Sequence, residues 1–375
     1  MGKETNIMLD LKAENRNRIF NAIRVNGNIS GSELSYKLQL SRPTITLNLN
    51  ELKEEGLIYE CGSLGHTGGR RAKAYAVNGK RKIAIGMDIT GNHITIIIAD
   101  LLGKLIYEKR VRKAFSQTEE YKKHLGELVE DAVQEHQIQK TQILGIGIAV
   151  PGLITEDYQR IFYGEILKFT DLTVSDLCCY IPYPCRFYND ADAGGYAEIS
   201  QRPELSDAFY ISLSNNIGGA ILIGHKVYKG EGPRSGEVGH MTLFPDGRDC
   251  YCGKKGCFEK YCNAAILANM CDGNLNGFFE RLSAREKMCV AAWEEYLEYL
   301  AIAVNNVRML FDCKVILGGY VGAYMEKYLP HLKELASKRN TFEKNADYLL
   351  ACKVKKNALA FGSALPFIHE YWKMI

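Results

Sequence analysis

The stretch from Gly236 to Cys262 constrains the fold more than any other part of the sequence. It contains one imidazole and three thiols at an H-x9-C-x-C-x4-C spacing, with glycines at 247, 253 and 256 that allow a short loop to fold back on itself. One histidine and three thiolates complete a closed tetrahedral shell for Zn²⁺. We therefore predict one structural zinc ion per chain, held by His240, Cys250, Cys252 and Cys257. The alternative is that some of these cysteines are small buried apolar residues, as free cysteines often are and as we expect for Cys262.

Two carboxylates frame this motif, Glu237 before the histidine and Glu259 after the last cysteine. A rigid metal-bound loop would hold these two acceptors at a fixed separation, which suits a polyhydroxylated ligand. A second candidate lies in RFYNDADA, residues 186–193, where a short strand leads into Asn189 and Asp190. A carboxylate at a strand end can accept a proton from a sugar hydroxyl or hydrogen-bond to it. An Asn-Asp pair is also typical of a turn or a helix cap, so the residues alone leave both interpretations open.

Composition limits the compartment and the class of protein. The 375 residues suggest two or three domains, and 46% hydrophobic residues are enough for extensive cores. The first residues, MGKETNIMLDLKAEN, lack the apolar core of a signal peptide, and the cysteines outside 250–262 are scattered, so we expect a reducing, cytoplasmic protein. The most apolar runs, 94–99 and 143–154, are shorter than the roughly 20 residues that cross a bilayer, so we predict no membrane segment.

The first 80 residues form the basic part of the chain. The net charge of the whole chain is only +3, but residues 1–80 carry +4 and the remainder −1. Apolar spacing predicts a helix from Asn15 to Gly27, a second opened by a Ser30–Glu33 capping box, and a third capped by Ser41. Two short strands joined by a glycine-rich loop follow within residues 57–77. The pattern predicts a helix-turn-helix with a wing.

The polar face of the third predicted helix carries the residues that we expect to contact bases. These are Arg42, Thr44, Thr46 and Asn48, near the amino end where a recognition helix meets base edges. The wing loop carries Arg70 and Arg71, which we expect at phosphates or in a minor groove. Three-helix units also serve in protein contacts alone, but the Ser-Arg-Pro-Thr start of this helix and the basic wing favour DNA binding.

Four motifs together resemble the ROK family, which contains repressors, open reading frames and sugar kinases. They are GEVGH at 236–240, the C-x-C-x4-C-x-E run at 250–259, AVPG at 149–152 and NDAD at 189–192. The winged helix is similar to that of the repressor branch, which includes xylose and N-acetylglucosamine repressors. The resemblance extends over nearly the whole chain. It implies an α/β protein with a two-lobed actin-like (ribonuclease-H-like) ATPase-type fold, preceded by an N-terminal winged helix-turn-helix domain, with sugar in the cleft between the lobes.

The same resemblance implies domain limits and residue roles. The domains would be a winged helix-turn-helix DNA-binding domain at 1–80, a first lobe at 81–195 joined by the C-terminal helix 357–375, and a second lobe at 196–356 with the zinc motif. By position, the residues that hold sugar hydroxyls would be Asn189, Asp190, Glu237, His240 and Glu259. His240 would bind zinc through its other ring nitrogen. In kinase members the residue that matches Asp190 is the catalytic base.

The two phosphate-binding loops depart from the kinase pattern. Kinases of the family carry D-I-G-G-T where this chain has DITGN at 88–92, and G-T-G-I-G-G-G where it has SNNIGGA at 214–220. Thr90, Ser214 and Asn216 thus stand where glycines are usual, and their side chains narrow the space for phosphates and disfavour positive φ. We therefore expect that ATP does not bind productively.

Together these features predict a cytoplasmic, sugar-responsive transcriptional regulator, a repressor that binds a palindromic operator through residues 10–78. The predicted partners are operator DNA, a monosaccharide or derivative as effector, and a second copy of the chain, with a tetramer left open. One alternative is an ATP-dependent sugar kinase that also carries a DNA-binding domain, which the intact Asp190 supports. Another is a DNA-binding protein that has lost sugar binding and responds to a protein or a phosphorylated metabolite.

Overall fold

The computed structural model describes residues 2–64, 72–169 and 171–375. The predicted wing residues Arg70 and Arg71 therefore lie outside the described residues. Within the described ranges, no helix has both the length and the apolar character needed to cross a membrane.

The amino-terminal part consists of three helices and a small antiparallel sheet. Its elements are α1 (Gly2–Asn26), β1 (Ile29–Ser30), α2 (Gly31–Leu38), α3 (Arg42–Glu54), β2 (Ile58–Leu64) and β3 (Ala72–Val77), and the strand order is β1-β3-β2. A capping box between Ser30 and Glu33 begins α2, and the Ser41 side chain caps α3, as predicted. Helix α1 starts at Gly2, well before the predicted Asn15, and residues 11–14, LKAE, are strong helix formers that continue it on the amino side of Asn15.

The next part of the chain forms a first α/β lobe. Its elements are β4 (Ile83–Ile89), β5 (His93–Asp100), β6 (Leu105–Arg112), α4 (Glu119–Glu135), β7 (Ile143–Val150), β8 (Leu153–Ile154), β9 (Arg160–Tyr163), β10 (Leu172–Thr173), α5 (Val174–Leu177), β11 (Cys185–Asn189) and α6 (Asp190–Ser200). The main sheet has the order β11-β7-β4-β5-β6, and β8, β9 and β10 form a small second sheet. Strands β4, β7 and β11 are parallel, so their carboxyl ends lie at one edge of the sheet.

A second α/β lobe follows. Its elements are β12 (Ala208–Leu213), β13 (Ile217–Ile223), β14 (Lys226–Tyr228), α7 (Glu259–Cys262), α8 (Ala264–Ala268), α9 (Leu275–Ser283), α10 (Lys287–Phe311), β15 (Lys314–Gly318), α11 (Gly319–Gly322), α12 (Met325–Ser337) and β16 (Leu349–Ala351). The sheet order is β14-β13-β12-β15-β16. Helices α7 to α10 and α12 cover one face of this sheet in a single apolar core. The long helix α10 begins at Lys287, because residues 284–286 close the turn after α9.

The last helix, α13 (Ala358–Met374), packs between the first-lobe sheet and α6. Glycines allow this close approach. A Cβ at Gly86 of β4 would lie 1.8 Å from the Ala360 carbonyl oxygen, and a Cβ at Gly362 of α13 would lie 1.7 Å from the Ala193 carbonyl oxygen. Helix α13 is therefore in backbone contact with both β4 and α6. These elements confirm the predicted α/β fold of two lobes preceded by a winged helix.

Candidate functional site

A cavity of about 560 Å³ lies where β7 and β11 of the first lobe face β13 and the turn before His240. Of the residues predicted to hold sugar, Asn189, Asp190, Glu237 and His240 line it. The wall also includes side chains that the sequence did not assign to a sugar site, namely Phe162, Tyr163, Glu165, Asn216, Arg234 and Tyr251. Two aromatic rings from the small sheet, a phenol, an amide and carboxylates are the groups that commonly bind a polyhydroxylated molecule.

Asn189 and Asp190 lie where β11 ends and α6 begins. The Asn189 side chain caps α6, because its Oδ1 accepts a hydrogen bond from the Asp192 N–H at 3.0 Å. Its Nδ2 donates to the Gly152 carbonyl at 3.0 Å. The helix-cap interpretation therefore holds for Asn189, and its two bonds anchor the junction of β11 and α6 at which Asp190 lies. The Asp190 Oδ1 accepts from the Ala191 N–H at 2.8 Å.

Glu259 is not among the residues that line the cavity, and its predicted contact with sugar stays a prediction. Its side chain is 2% exposed, and its Oε2 accepts a hydrogen bond from the Ile217 N–H at 2.5 Å. Ile217 itself lines the cavity. The carboxylate thus lies one layer behind the wall, where it orients the backbone of the Asn216–Gly218 turn.

Two of the carboxyl groups that line the cavity, those of Asp190 and Glu237, have raised pKa values. Burial raises the pKa of Asp190 to about 6, although the Ala191 N–H opposes the shift. Desolvation raises the pKa of Glu237 to about 7, and the Asp190 charge adds to the shift. Near neutral pH these groups can therefore accept hydrogen bonds as carboxylates or donate them as carboxylic acids.

The four predicted metal ligands come together beside the cavity. The Cys252 and Cys257 Sγ atoms are 3.7 Å apart, the Cys250 Sγ lies 3.9 Å from the His240 Nδ1, and all four candidate ligand atoms lie within 4.8 Å of one another. A tetrahedral shell with Zn–S bonds of about 2.3 Å places ligand sulfurs about 3.8 Å apart. The spacing therefore fits one tetrahedral metal ion.

The chain around this cluster folds as tightly as the spacing predicted. The Leu243 N–H donates to the Gly256 carbonyl at 2.8 Å, and the Gly256 N–H donates to the Arg248 carbonyl at 2.9 Å. Gly256 has φ +73°, and a Cβ there would lie 1.7 Å from the Phe244 carbonyl oxygen, so only glycine fits. The imidazole connects the cluster to the cavity, because its Nδ1 faces Cys250 and its Nε2 lies 3.4 Å from the Tyr251 hydroxyl.

A second cavity, of about 410 Å³, is lined by Asp88 and Ser214 of the altered phosphate loops and by Gly319. Asn216 of the second loop lines the first cavity instead. The Thr90 hydroxyl closes the β4–β5 turn by donating to the His93 carbonyl at 3.1 Å. The Ser214 Oγ lies 3.1 Å from the Ser212 Oγ and packs against the turn at Gly319, which has φ +77°. Both hydroxyl side chains thus take part in contacts within the protein.

The Asp88 carboxyl at the end of β4 is buried in a position that disfavours its ionised form. Burial raises its pKa to about 7, the Asp190 charge adds to the shift, and Arg110 opposes it. Its Oδ1 has no hydrogen-bond partner among the described residues. Folding therefore places a carboxyl group where its ionised form is poorly solvated.

Asp88→Asn is expected to stabilise the protein at high pH. The folded-state pKa of about 7 exceeds the ordinary value of 3.8, so the folded state binds more protons between these values and stability falls as pH rises through this window. The amide avoids that loss, so the variant should gain up to about 4 kcal/mol at pH 8 and nothing at pH 4. Thermal unfolding across pH measures this, with the exposed Asp131→Asn as control. Parallel pH profiles for Asp88→Asn and wild type would contradict the assignment.

The candidate DNA-contacting face of α3 differs in one residue from the prediction. Arg42 and Thr46 are exposed and Thr44 is half-buried, but Asn48 is only 2% exposed and donates to the Thr44 carbonyl at 2.8 Å. Asn48 was wrongly placed because it shares the helical face of the buried residues Ile45, Leu49 and Leu52. Asn50 occupies the outer face instead, one turn beyond Thr46. A groove between α3 and β3 is lined by Arg42, Thr46, Asn50, Lys73 and Tyr75 among others.

Two family models match the chain. The ROK family model matches residues 84–369, and a winged helix-turn-helix DNA-binding model matches residues 13–59. Among curated proteins, the chain is 27% identical over 379 residues to the xylose repressor of Bacillus subtilis, and the alignment covers 97% of each protein. These matches confirm the predicted resemblance.

The solved structures that share the fold include a regulator and a kinase. A ROK family transcriptional regulator, a homolog of the Escherichia coli MLC protein, has a TM-score of 0.77 and 20% identity, and 97% of each chain is covered. A ROK family glucokinase from Streptomyces griseus, in complex with glucose and AMPPNP, has a TM-score of 0.59 and 22% identity, covering 76% of this chain and 98% of the kinase. The likeness confirms the predicted two-lobed actin-like fold, and only the regulator also covers the amino-terminal domain.

Proposed function

This chain belongs to the ROK family, and we propose that it is a sugar-responsive transcriptional repressor that binds operator DNA. One observation carries the proposal: a winged helix-turn-helix and a polar, aromatic-lined cavity occur in one chain, and the similar proteins that cover nearly its whole length are a repressor and a regulator. The effector is a monosaccharide or a derivative of one, which binds in the cavity at Asp190 and Glu237. The protein acts in the cytoplasm.

Regulation follows from linkage between the two sites. A sugar that binds one arrangement of the lobes more tightly shifts the protein toward that arrangement. In a homodimer on a palindromic operator, such a shift changes the separation of the two recognition helices, and a mismatch weakens both contacts at once. A small rotation therefore suffices to change operator affinity.

Zinc is the metal that we assign to the His/Cys cluster. Three thiols and one imidazole form a donor set that suits Zn²⁺, and four protein ligands leave no open position for a reacting molecule. The ion is therefore structural, at one per chain, and His240 and Tyr251 connect it to the cavity wall. Asn189 lines the cavity and caps the helix that begins at Asp190, and Glu259 supports the turn at Ile217 from behind the wall.

A sugar kinase that also binds DNA is the second candidate. It is favoured by Asp190, whose pKa of about 6 and position in the cavity suit a general base. The side chains of Thr90 and Ser214, at positions that are usually glycine in the kinases, argue against it. A coupled assay with ATP and D-xylose, D-glucose, D-mannose and N-acetyl-D-glucosamine separates the two. Turnover that is lost in Asp190→Asn would overturn the regulator-only assignment.

The proposal is tested by binding. Operator sequences are selected from a randomised duplex library, and the same sugars and the 6-phosphates of the hexoses are screened by thermal shift, because a ligand of the native state raises the melting temperature. Selection of a palindromic site together with stabilisation by at least one of these sugars supports a sugar-responsive regulator. Failure to select any site would overturn the function.

Arg42→Ala is expected to weaken operator binding by about 1–3 kcal/mol, roughly 5- to 150-fold, because Arg42 is exposed in the groove between α3 and β3. A fluorescence anisotropy titration with the selected operator measures the loss. Lys104→Ala removes the same charge from an exposed position in the first lobe and serves as the control. Equal affinities of the Arg42 variant and the control variant would show that this groove does not contact DNA.

A further inference from the structure

Helix α6 connects the cavity to the C-terminal helix. It begins at Asp190, which lines the cavity, and its Tyr196 hydroxyl lies 2.5 Å from the Nδ1 of His369 on α13. Burial lowers the pKa of His369 to about 4, with the charges of Arg24 and Lys373 adding to the shift. Burial also raises the pKa of Tyr196 to about 12. The imidazole is therefore neutral at physiological pH and the phenol keeps its proton, so a single hydrogen bond joins the Tyr196 hydroxyl and the His369 Nδ1, in the direction that the imidazole tautomer sets.

The other side of α13 contacts the DNA-binding domain. The Trp372 ring lies 4.6 Å from the His369 ring, and the Arg24 guanidinium of α1 lies 3.9 Å above the Trp372 ring. The indole is fixed from a second direction, because its Nε1 donates to the Leu101 carbonyl at 2.8 Å. In addition, the Asn17 Nδ2 of α1 donates to the Trp372 carbonyl at 2.5 Å. Helix α1 is thus held by a cation–π contact and a hydrogen bond to one residue.

These contacts form a continuous row of Tyr196, His369, Trp372 and Arg24, which we name the aromatic row. It crosses from the helix that begins at the cavity to the first helix of the DNA-binding domain. The two helices at its start are in direct backbone contact, because Gly362 of α13 approaches the Ala193 carbonyl of α6 so closely that no Cβ would fit. Packed elements of this kind transmit small displacements instead of absorbing them.

We propose that Tyr196, His369, Trp372 and Arg24 are positioning residues that couple the cavity to the DNA-binding domain, so that a sugar at Asp190 changes operator affinity through the aromatic row. The inference rests on the proposed function, since it explains how sugar and operator affect one another. It assigns no contact with sugar or DNA to these four residues. Their effect is on the coupling between the two sites, which is measured independently of either affinity alone.

Tyr196→Phe is the sharpest test, because it removes one hydroxyl and keeps the ring. The operator dissociation constant is measured with and without D-xylose, D-glucose, D-mannose, N-acetyl-D-glucosamine and the hexose 6-phosphates, at saturating concentration. We expect operator affinity without sugar and sugar affinity without DNA to stay within about twofold of wild type. The ratio of the operator dissociation constants with and without sugar, typically about 5- to 150-fold in allosteric proteins, should fall toward one. Arg24→Gln tests the other end of the row and should reduce the same ratio.

Tyr121→Phe is the matched control, because Tyr121 is also buried and its hydroxyl has no hydrogen-bond partner among the described residues. It should keep the full sugar response. An undiminished response in both Tyr196→Phe and Arg24→Gln would overturn the coupling role. If the operator affinity of the wild-type protein changed with none of the sugars, the proposed function would be overturned and this inference with it. A wild-type response that both variants keep would overturn only the coupling role.

Discussion

Replacing Cys257 by serine is expected to abolish stoichiometric metal binding and to destabilise the second lobe. Cys257 is fully buried, its sulfur lies 3.7 Å from that of Cys252, and it belongs to the only His/Cys cluster that meets the geometric requirement for a metal among the described residues. Structural zinc contributes roughly 10 kcal/mol to the folding of zinc-finger peptides. Because the loop here belongs to a larger core, we expect a smaller loss in the free energy of unfolding, on the order of 5 kcal/mol. Elemental analysis and chemical denaturation measure the two effects.

The same substitution should also impair sugar binding. His240 and Tyr251 line the cavity, and a freed loop would no longer hold them there. The control is Cys179→Ser, which changes an exposed thiol outside the cluster and should retain one zinc per chain. Purified wild-type protein without zinc, or a Cys257 variant as stable as wild type, would contradict the metal assignment.

Asp190→Asn is expected to weaken sugar binding by about 1.5–3 kcal/mol, roughly 10- to 150-fold, because hydrogen bonds to a charged group are stronger than neutral ones. The amide keeps the size of the side chain and can still accept a hydrogen bond from the Ala191 N–H, so the start of α6 should remain intact. Operator affinity without sugar should stay at the wild-type value, because Asp190 lies in the cavity and not on the groove at α3.

Isothermal titration calorimetry with the sugar that most raises the melting temperature measures this change. Glu231→Gln is a suitable control, because Glu231 is an exposed carboxylate on the loop before Glu237 and does not line the cavity. Equal sugar affinities of wild type and Asp190→Asn would remove Asp190 from the binding site. Weakening of equal size in the control would indicate a general effect of charge.

Features with short-range physical causes were predictable from the sequence. The Ser30–Glu33 capping box and the Ser41 cap depend on residues three positions apart, and both occur in the structure. The metal cluster depends on a loop in which glycines permit tight turns, and its four side chains meet. The continuous apolar run of 143–150 likewise forms the buried parallel strand β7.

Other features depend on which way a side chain points or on distant parts of the chain. Asn48 is polar, but its helical phase places it on the buried face of α3. Glu259 adjoins the metal motif, yet its carboxylate turns inward to the Ile217 N–H. The cavity residues Phe162 and Arg234 belong to short segments without a diagnostic pattern.

The aromatic row has no sequence signal at all. Tyr196 and His369 lie 173 positions apart, and their contact exists because α13, which follows the whole second lobe in the sequence, packs against the first lobe. The pKa values near 6 and 7 at Asp190 and Asp88 have a similar origin, since they arise from burial of the strand ends in the assembled protein.

The central claim is that sugar in the cavity controls the affinity for DNA. Its most direct test is the dissociation constant of a labelled operator duplex, measured by fluorescence anisotropy at constant salt with and without saturating D-xylose, D-glucose, D-mannose, N-acetyl-D-glucosamine and the hexose 6-phosphates. We expect at least one of these compounds to change the operator dissociation constant by about 5- to 150-fold. We also expect Asp190→Asn to raise the sugar concentration at which this change occurs. Operator binding that is the same with every compound would contradict it.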